Sequence, residues 1–292
     1  MANTQDIRRR IKSIRNTAQI TKAMQMVAAS KMRKAQQHAL AGRPYAGLMN
    51  RVLVSLRGRT DPHLHPLLQV RPTRKELVLI ISTDKGLAGA LNTNLMREAA
   101  AYDAAKTVFV TAGRKARQFI ARTRRELLAD FELKDAPTIL DTKPMSKFCV
   151  EKFLAGEVDK VTALYTHFIN TINQKPVAQT LLPISSFVFD VAGQAQSADE
   201  AEKGATLEYI FEPSPQAVLD FMLPYYVQYQ VFQMVLDARA SEHSARMVAM
   251  KNATDNANQF IKDLTLEYNK MRQASITTEL LEIATAQMAV SG

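Results

Sequence analysis

The sequence predicts a mixed α+β/α-β fold: a long antiparallel two-helix coiled coil built from the N- and C-terminal segments, with a Rossmann-like α/β domain inserted between them. Three observations carry this. Both ends of the 292-residue chain hold an apolar 3–4 repeat. The middle switches to short apolar runs alternating with helical stretches. Glycine and proline, which end helices, are scarce at both ends. The predicted boundaries are 1–58 for the N-terminal helix, 74–212 for the central domain and 213–292 for the C-terminal helix, which pairs with 1–58.

In the N-terminal helix the repeat reads Ile7, Ile11, Ile14, Ala18, Thr21, Gln25, Ala28, Met32, Ala35, Ala39. A seam this rich in alanine lets a partner helix come close. Gly42-Arg43-Pro44 should kink or break the helix, and the pattern resumes through Leu48, Val52, Leu53 and Leu56. In the middle, Glu76–Ser82, Thr107–Thr111 and Val161–Tyr165 read as strands, and Val177–Pro183 and Phe187–Asp190 as further β candidates. Asn92–Ala105, Arg114–Thr123 and Met145–Ala155 read as helices, and Gly193–Gly204 as a loop. Such alternation predicts a mostly parallel sheet.

The C-terminal helix should start at Ser214-Pro215 and bend at Pro224. Its seam is Tyr229, Gln233, Leu236, Ala240, His243, Met247, Met250, Thr254, Ala257, Ile261, Leu264, Tyr268, Met271 and Ser275. Run to Val290, it would be roughly 110 Å long at 1.5 Å per residue. If Leu56 is set opposite Pro215, Ile7 meets a residue near Asp263. The remainder, roughly 40 Å of helix, then has no partner within the chain. That overhang is apolar (Leu264, Leu266, Met271, Ile276, Leu280, Leu281, Ile283, Met288, Val290), and from Gln273 onward its only charges are Glu279 and Glu282. An unsheathed apolar rod aggregates, so it is expected to sit inside another protein.

Composition narrows the function. With 47% hydrophobic and 23% charged residues the chain is not disordered, and no run of apolar residues is long enough to span a membrane. Residues Met1 to Arg10 lack the apolar core of a secretory signal. Residues 1–60 carry thirteen Lys/Arg against the single acid Asp6, while the rest of the chain is close to neutral. A field this concentrated calls for an anionic partner: nucleic acid, an anionic membrane face or an acidic protein surface. Against nucleic acid, residues 1–44 contain no aromatic side chain for base stacking, and an RNA-binding arm would not explain the apolar overhang.

Candidate chemical sites are weak. Thr83–Gly89 sits where a phosphate-binding loop would, but lacks its glycine spacing and its Gly-Lys-Ser/Thr. His63 and His65 beside Asp61 have no third clustered ligand, and His38, His167 and His243 are isolated. Cys149, the single cysteine, reads as packing. No catalytic constellation, cofactor site or metal site is expected.

Several stretches resemble a known family. Ile20–Lys34, Arg43-Pro-Tyr45, Ser82–Asn92, Ser241–Asn256 and Arg272–Glu282 are similar to the gamma subunit of the F-type ATP synthase, of bacterial type. The resemblance implies a central-stalk rotor that transmits torque between the membrane c-ring and the catalytic sites on beta. It would thereby couple proton flow to ATP synthesis or hydrolysis, and it would not be an enzyme by itself. Implied partners are three alpha and three beta subunits, the epsilon subunit and the c-ring; no nucleic acid and no membrane span are implied. By position in the matched stretches, Met24, Arg246, Arg272, Gln273, Thr277, Glu279 and Glu282 are implied contacts with the alpha/beta ring. Tyr209 and Glu212 are implied to lie in a foot near epsilon and the c-ring. Lone Cys149 cannot supply the redox pair of the plastid members. The absence of a presequence before Ile7 suggests a peripheral protein on the cytoplasmic face of the bacterial inner membrane.

Overall fold

The structure, a computed structural model, describes residues 4–57, 65–184, 190–191, 194–195 and 211–291. In chain order the elements are α1 (Thr4–Ala41), α2 (Arg43–Arg57), β1 (Glu76–Ile81), α3 (Leu91–Ala100), β2 (Thr107–Ala112), α4 (Arg114–Arg122), β3 (Leu127–Phe131), α5 (Ile139–Leu154), β4 (Lys160–Phe168), β5 (Gln174–Leu182), the short hairpin β6 (Asp190–Val191) and β7 (Gln194–Ala195), and α6 (Pro215–Ser291). The chain divides into two compact units, Met1–Val27 with Met247–Gly292, and Ala28–Arg246.

In the larger unit the sheet has the order β3-β2-β1-β4-β5. The pairs among β1, β2, β3 and β4 are parallel, and β5 returns antiparallel to β4. Leu77, Leu79 and Ile81 of β1 face a core shared with α2, α5 and α6, where Leu53, Leu56, Met145, Phe153, Leu223 and Tyr226 are buried. Val78 and Ile80 face the opposite core, with Leu95, Phe109, Ala116 and Ile120. Because both faces are covered, the central strands read as unbroken apolar runs and not as alternation. Gly113, at φ 108°, turns β2 into α4; a Cβ there would lie 2.4 Å from the Ser82 carbonyl oxygen.

Several expectations are corrected. β3 was not anticipated. Helix α5 starts at Ile139, six residues before the expected Met145, because Pro144 is accommodated inside it. Its first turn is held by Asp141, whose carboxylate accepts the Thr138 backbone N–H at 2.8 Å. Gln194–Ala195 form a strand where a loop was expected, and of the candidate Phe187–Asp190 only Asp190 lies among the described residues.

Gly42 separates α1 from α2 as expected. Its carbonyl accepts the Tyr229 hydroxyl at 2.7 Å.

In the smaller unit α1 and α6 run antiparallel. Arg8 donates to the Tyr268 hydroxyl, and the Thr21 and Thr254 hydroxyls meet at 2.7 Å. Ile7, Ala18, Thr21, Met250, Thr254 and Ala257 are buried, with Ile11, Ile14, Ile261, Leu264, Tyr268 and Met271 half-buried between them. The heptad seam is therefore the packed face. Its register differs from the count made on the sequence, since Ile7 stands level with the residue after Tyr268 and not with Asp263. The count began from Leu56, which is packed into the common core of the larger unit and is not a coil position. The offset is about six residues, or roughly one and two-thirds helical turns.

Candidate partner interface

Thr4, the first described residue, lies about level with Arg272 if the same register continues to the end of α1. Arg272 to Met288 are all exposed. Ile276, Leu280, Leu281, Ile283 and Met288 are between 48% and 74% accessible. The hydroxyls of this stretch are turned inward along the helix: Thr277 donates to the Gln273 carbonyl at 2.9 Å, Thr278 to Ala274 at 3.0 Å and Thr285 to Leu281 at 2.9 Å. With the Thr277, Thr278 and Thr285 hydroxyls bonded to the helix backbone, their methyl groups join the apolar side chains at the surface, and the charges of the stretch are Arg272, Glu279 and Glu282. Leu264 and Met271, expected to be uncovered, are half-buried within the coil.

The same unit carries the exposed cations Arg8, Arg9, Arg10, Lys12, Arg15 and Lys22 on α1. Met24 is 41% accessible and neighbours the exposed Ile20, Met26 and Val27. Arg272, Gln273, Thr277, Glu279 and Glu282 all lie on the exposed segment, so the structure brings these candidate residues together on one element. Glu212 is exposed just before α6, and Tyr209 lies outside the described residues.

Arg246 belongs to the larger unit, in a different setting. Its guanidinium donates to Glu242 at 2.8 Å and to the Gly86 carbonyl at 3.3 Å. Glu242 also accepts from Arg239 at 2.7 Å. Arg239 is 4% accessible and donates to Asp84 at 3.2 Å and to the Leu133 carbonyl at 3.0 Å. Burial disfavours the Arg239 cation, but Glu242 and Asp84 outweigh it and raise its pKa. The Thr83–Gly89 loop is thus bound by α6: Asp84 accepts from both the Arg114 backbone N–H and Arg239.

The remaining candidates are structural. His65 accepts the Leu67 backbone N–H at its own turn, while His63 and Asp61 lie outside the described residues. His167 meets Asp237 at 2.6 Å. Cys149 is wholly buried, which pushes its thiol up to about 12. Among the described residues there is no group of three or more His, Cys, Asp or Glu able to hold a metal ion, and no helix long and apolar enough to cross a membrane.

Sequence reasoning missed Asp84, Arg239 and Glu242. The spacing 239, 242, 246 puts three charges of both signs on one face of the helix, a signal of paired charges. Their partner Asp84 is too distant in sequence to be paired by inspection.

Comparison with known proteins agrees with this geometry. The profile described as ATP synthase matches residues 3–290. The chain is 48% identical to the ATP synthase gamma chain of Methylacidiphilum infernorum, over 99% of this chain and all of that one. It is 49% identical to that of Opitutus terrae, over the full length of both. Among solved structures it is similar to a chain of the Tetrahymena thermophila mitochondrial ATP synthase, central stalk and c-ring (TM-score 0.61, 25% identity, 80% of this chain and 99% of that one). It shares the fold of a chain in the Euglena gracilis mitochondrial OSCP/F1/c-ring assembly (TM-score 0.66, 21% identity, 98% and 94% covered). A seam, an uncovered apolar end and an inserted sheet, matched over their full length by relatives this similar, identify the chain as a member of the ATP synthase gamma chain family.

Proposed function

We propose that the chain is the central-stalk rotor of a proton-translocating F-type ATP synthase, transmitting torque between the membrane c-ring and catalytic sites held on beta. Partners on this reading are the alpha/beta ring, the epsilon subunit and the c-ring. The chain itself performs no hydrolysis, and the complex sits on the cytoplasmic face of the bacterial inner membrane, in keeping with relatives from bacteria. The observation that carries the reading is the apolar end of α6, exposed from Arg272 to Met288 beyond the reach of α1. A sleeve around such a surface meets few charges, so no strong ion pair fixes one angle, and non-directional apolar contact permits turning.

Arg272, Gln273, Thr277, Glu279 and Glu282 are the polar groups this end offers to loops of the ring, and Met24 extends the contact onto α1. Arg246 carries an internal role in this chain, bracing the Gly86 loop, beside any contact it makes with the ring. The exposed cations of α1 attract acidic surfaces on beta. Nothing in the comparisons supports the nucleic-acid alternative.

Two measurements test this. A tagged chain expressed with its neighbours should co-purify with alpha, beta and epsilon partners, and recovery of nucleic acid alone would sink the rotor reading. Arg272→Ala should lower coupled ATP synthesis by about tenfold, the scale for losing one charged interface contact, while leaving folding of the isolated chain unchanged. Parental synthesis and pumping rates would remove Arg272 from the interface.

A further inference from the structure

The chain passes from β1 outward to β2 and β3, then returns to β4 on the other side of β1. The gap between the carboxyl ends of β1 and β4 is therefore the topological switch point, the crevice where open α/β sheets hold their ligands. In this chain α6 fills it. Asp237 meets the His167 ring at 2.6 Å and accepts the Phe168 backbone N–H at 3.1 Å, at the end of β4. Ser241 donates to the Thr166 carbonyl at 2.9 Å, and Ser244 to the Thr171 carbonyl at 2.8 Å. Arg239 reaches Asp84 after β1 and the Leu133 carbonyl after β3, and Arg246 reaches the Gly86 carbonyl.

These residues fall into two stripes. At 3.6 residues per turn, positions 237, 241 and 244 lie on one face of α6, and 239, 242 and 246 on the opposite face. The helix is gripped from both sides. Bonds on one side alone would let it roll, whereas bonds on opposite sides oppose turning about its own axis. Stability does not account for the choice of residues, because a buried ion pair rarely gains over a well-packed apolar substitute. Hydrogen bonds are directional, so they fix the helix's angle in a way apolar packing does not.

We propose that this belt, Asp237 to Arg246 seated in the switch-point crevice, is the joint that carries torque between the α/β domain and the shaft helix, with Arg239 as its principal positioning residue. The proposal rests on the rotor reading above. The test uses the assembled enzyme with its ring immobilised and a bead fixed to the α/β domain. Arg239→Lys keeps the charge but not the two-armed geometry, and Ser241→Ala removes one bond from the opposite stripe without leaving a buried charge behind. Both should hydrolyse ATP at the parental rate without load. The angular variance of the bead should rise, by about twofold for Arg239→Lys since a network loses more than one member's share, and by less for Ser241→Ala. ATP-driven proton pumping should fall with it. Parental variance and pumping in both variants would overturn the joint. So would a loss confined to assembly yield or melting temperature, with normal variance in the enzymes that do assemble. Failure of the parent chain to join the ring at all would instead overturn the rotor reading.

Discussion

Burial governs His243, which lies on the seam of α6 and is 4% accessible. Its pKa falls to about 4, chiefly through burial; Glu242 opposes the shift, and Arg246, Lys31 and Arg239 add to it. The unfolded chain takes up the proton near 6.5 and the native chain only near 4. Stability is therefore full above pH 6.5 and declines as the pH falls through that window. The loss is about 3 kcal/mol by pH 4 from this residue. His243→Gln should shrink the difference between urea midpoints measured at pH 7 and pH 4.5, and an unchanged difference would rule His243 out as its source. The sequence marked His243 as a polar residue in the seam, and placed Arg272, Gln273, Thr277, Glu279 and Glu282 on one uncovered stretch. Asp84 and Arg239 escaped because long-range ion pairs leave no periodic trace. Only the folding of the first strand's loop against α6 joins them.

Among elements, periodicity was legible wherever one face alone is buried. Each seam residue of α1 from Ile7 to Ala39 is buried or half-buried. Strand β3 was hidden for the opposite reason. Leu127-Leu-Ala-Asp-Phe131 lies at the sheet edge with every residue half-buried, so it neither alternates nor forms a fully apolar run. Its leucines and alanine also favour helix locally. The first turn of α5 was lost because Pro144 reads as a boundary, although Thr138 and Asp141 together form a capping box that marks the true start. The end of α6 leads to a prediction at this scale. Ending the chain after Arg272 removes a stretch whose residues Gln273 to Met288 are all exposed. The truncated chain should keep its thermal midpoint to within about 0.5 kcal/mol of stability and become monodisperse by light scattering where the full chain associates. A marked drop in the midpoint would mean that the end packs on its own chain.

For the whole molecule, charge is the property that organises association. The chain is +10 overall, and residues 1–60 supply more than all of it. Reversing Arg9, Arg10 and Arg15 to Glu, all exposed on α1, should slow association with the alpha/beta ring by about tenfold or more at low salt. The gap should close as ionic strength rises, and a salt-independent rate would argue that the ring does not read this field. One further property bears on how such experiments are done. The chain's single cysteine, Cys149, is sealed in the core with its thiol held protonated at neutral pH. Maleimides should therefore pass the native protein by. A cysteine installed at Ile283 would then be the sole reactive handle, so fluorophores and cross-linkers could be addressed to the far end of α6 without first stripping the parent of its own sulfhydryl.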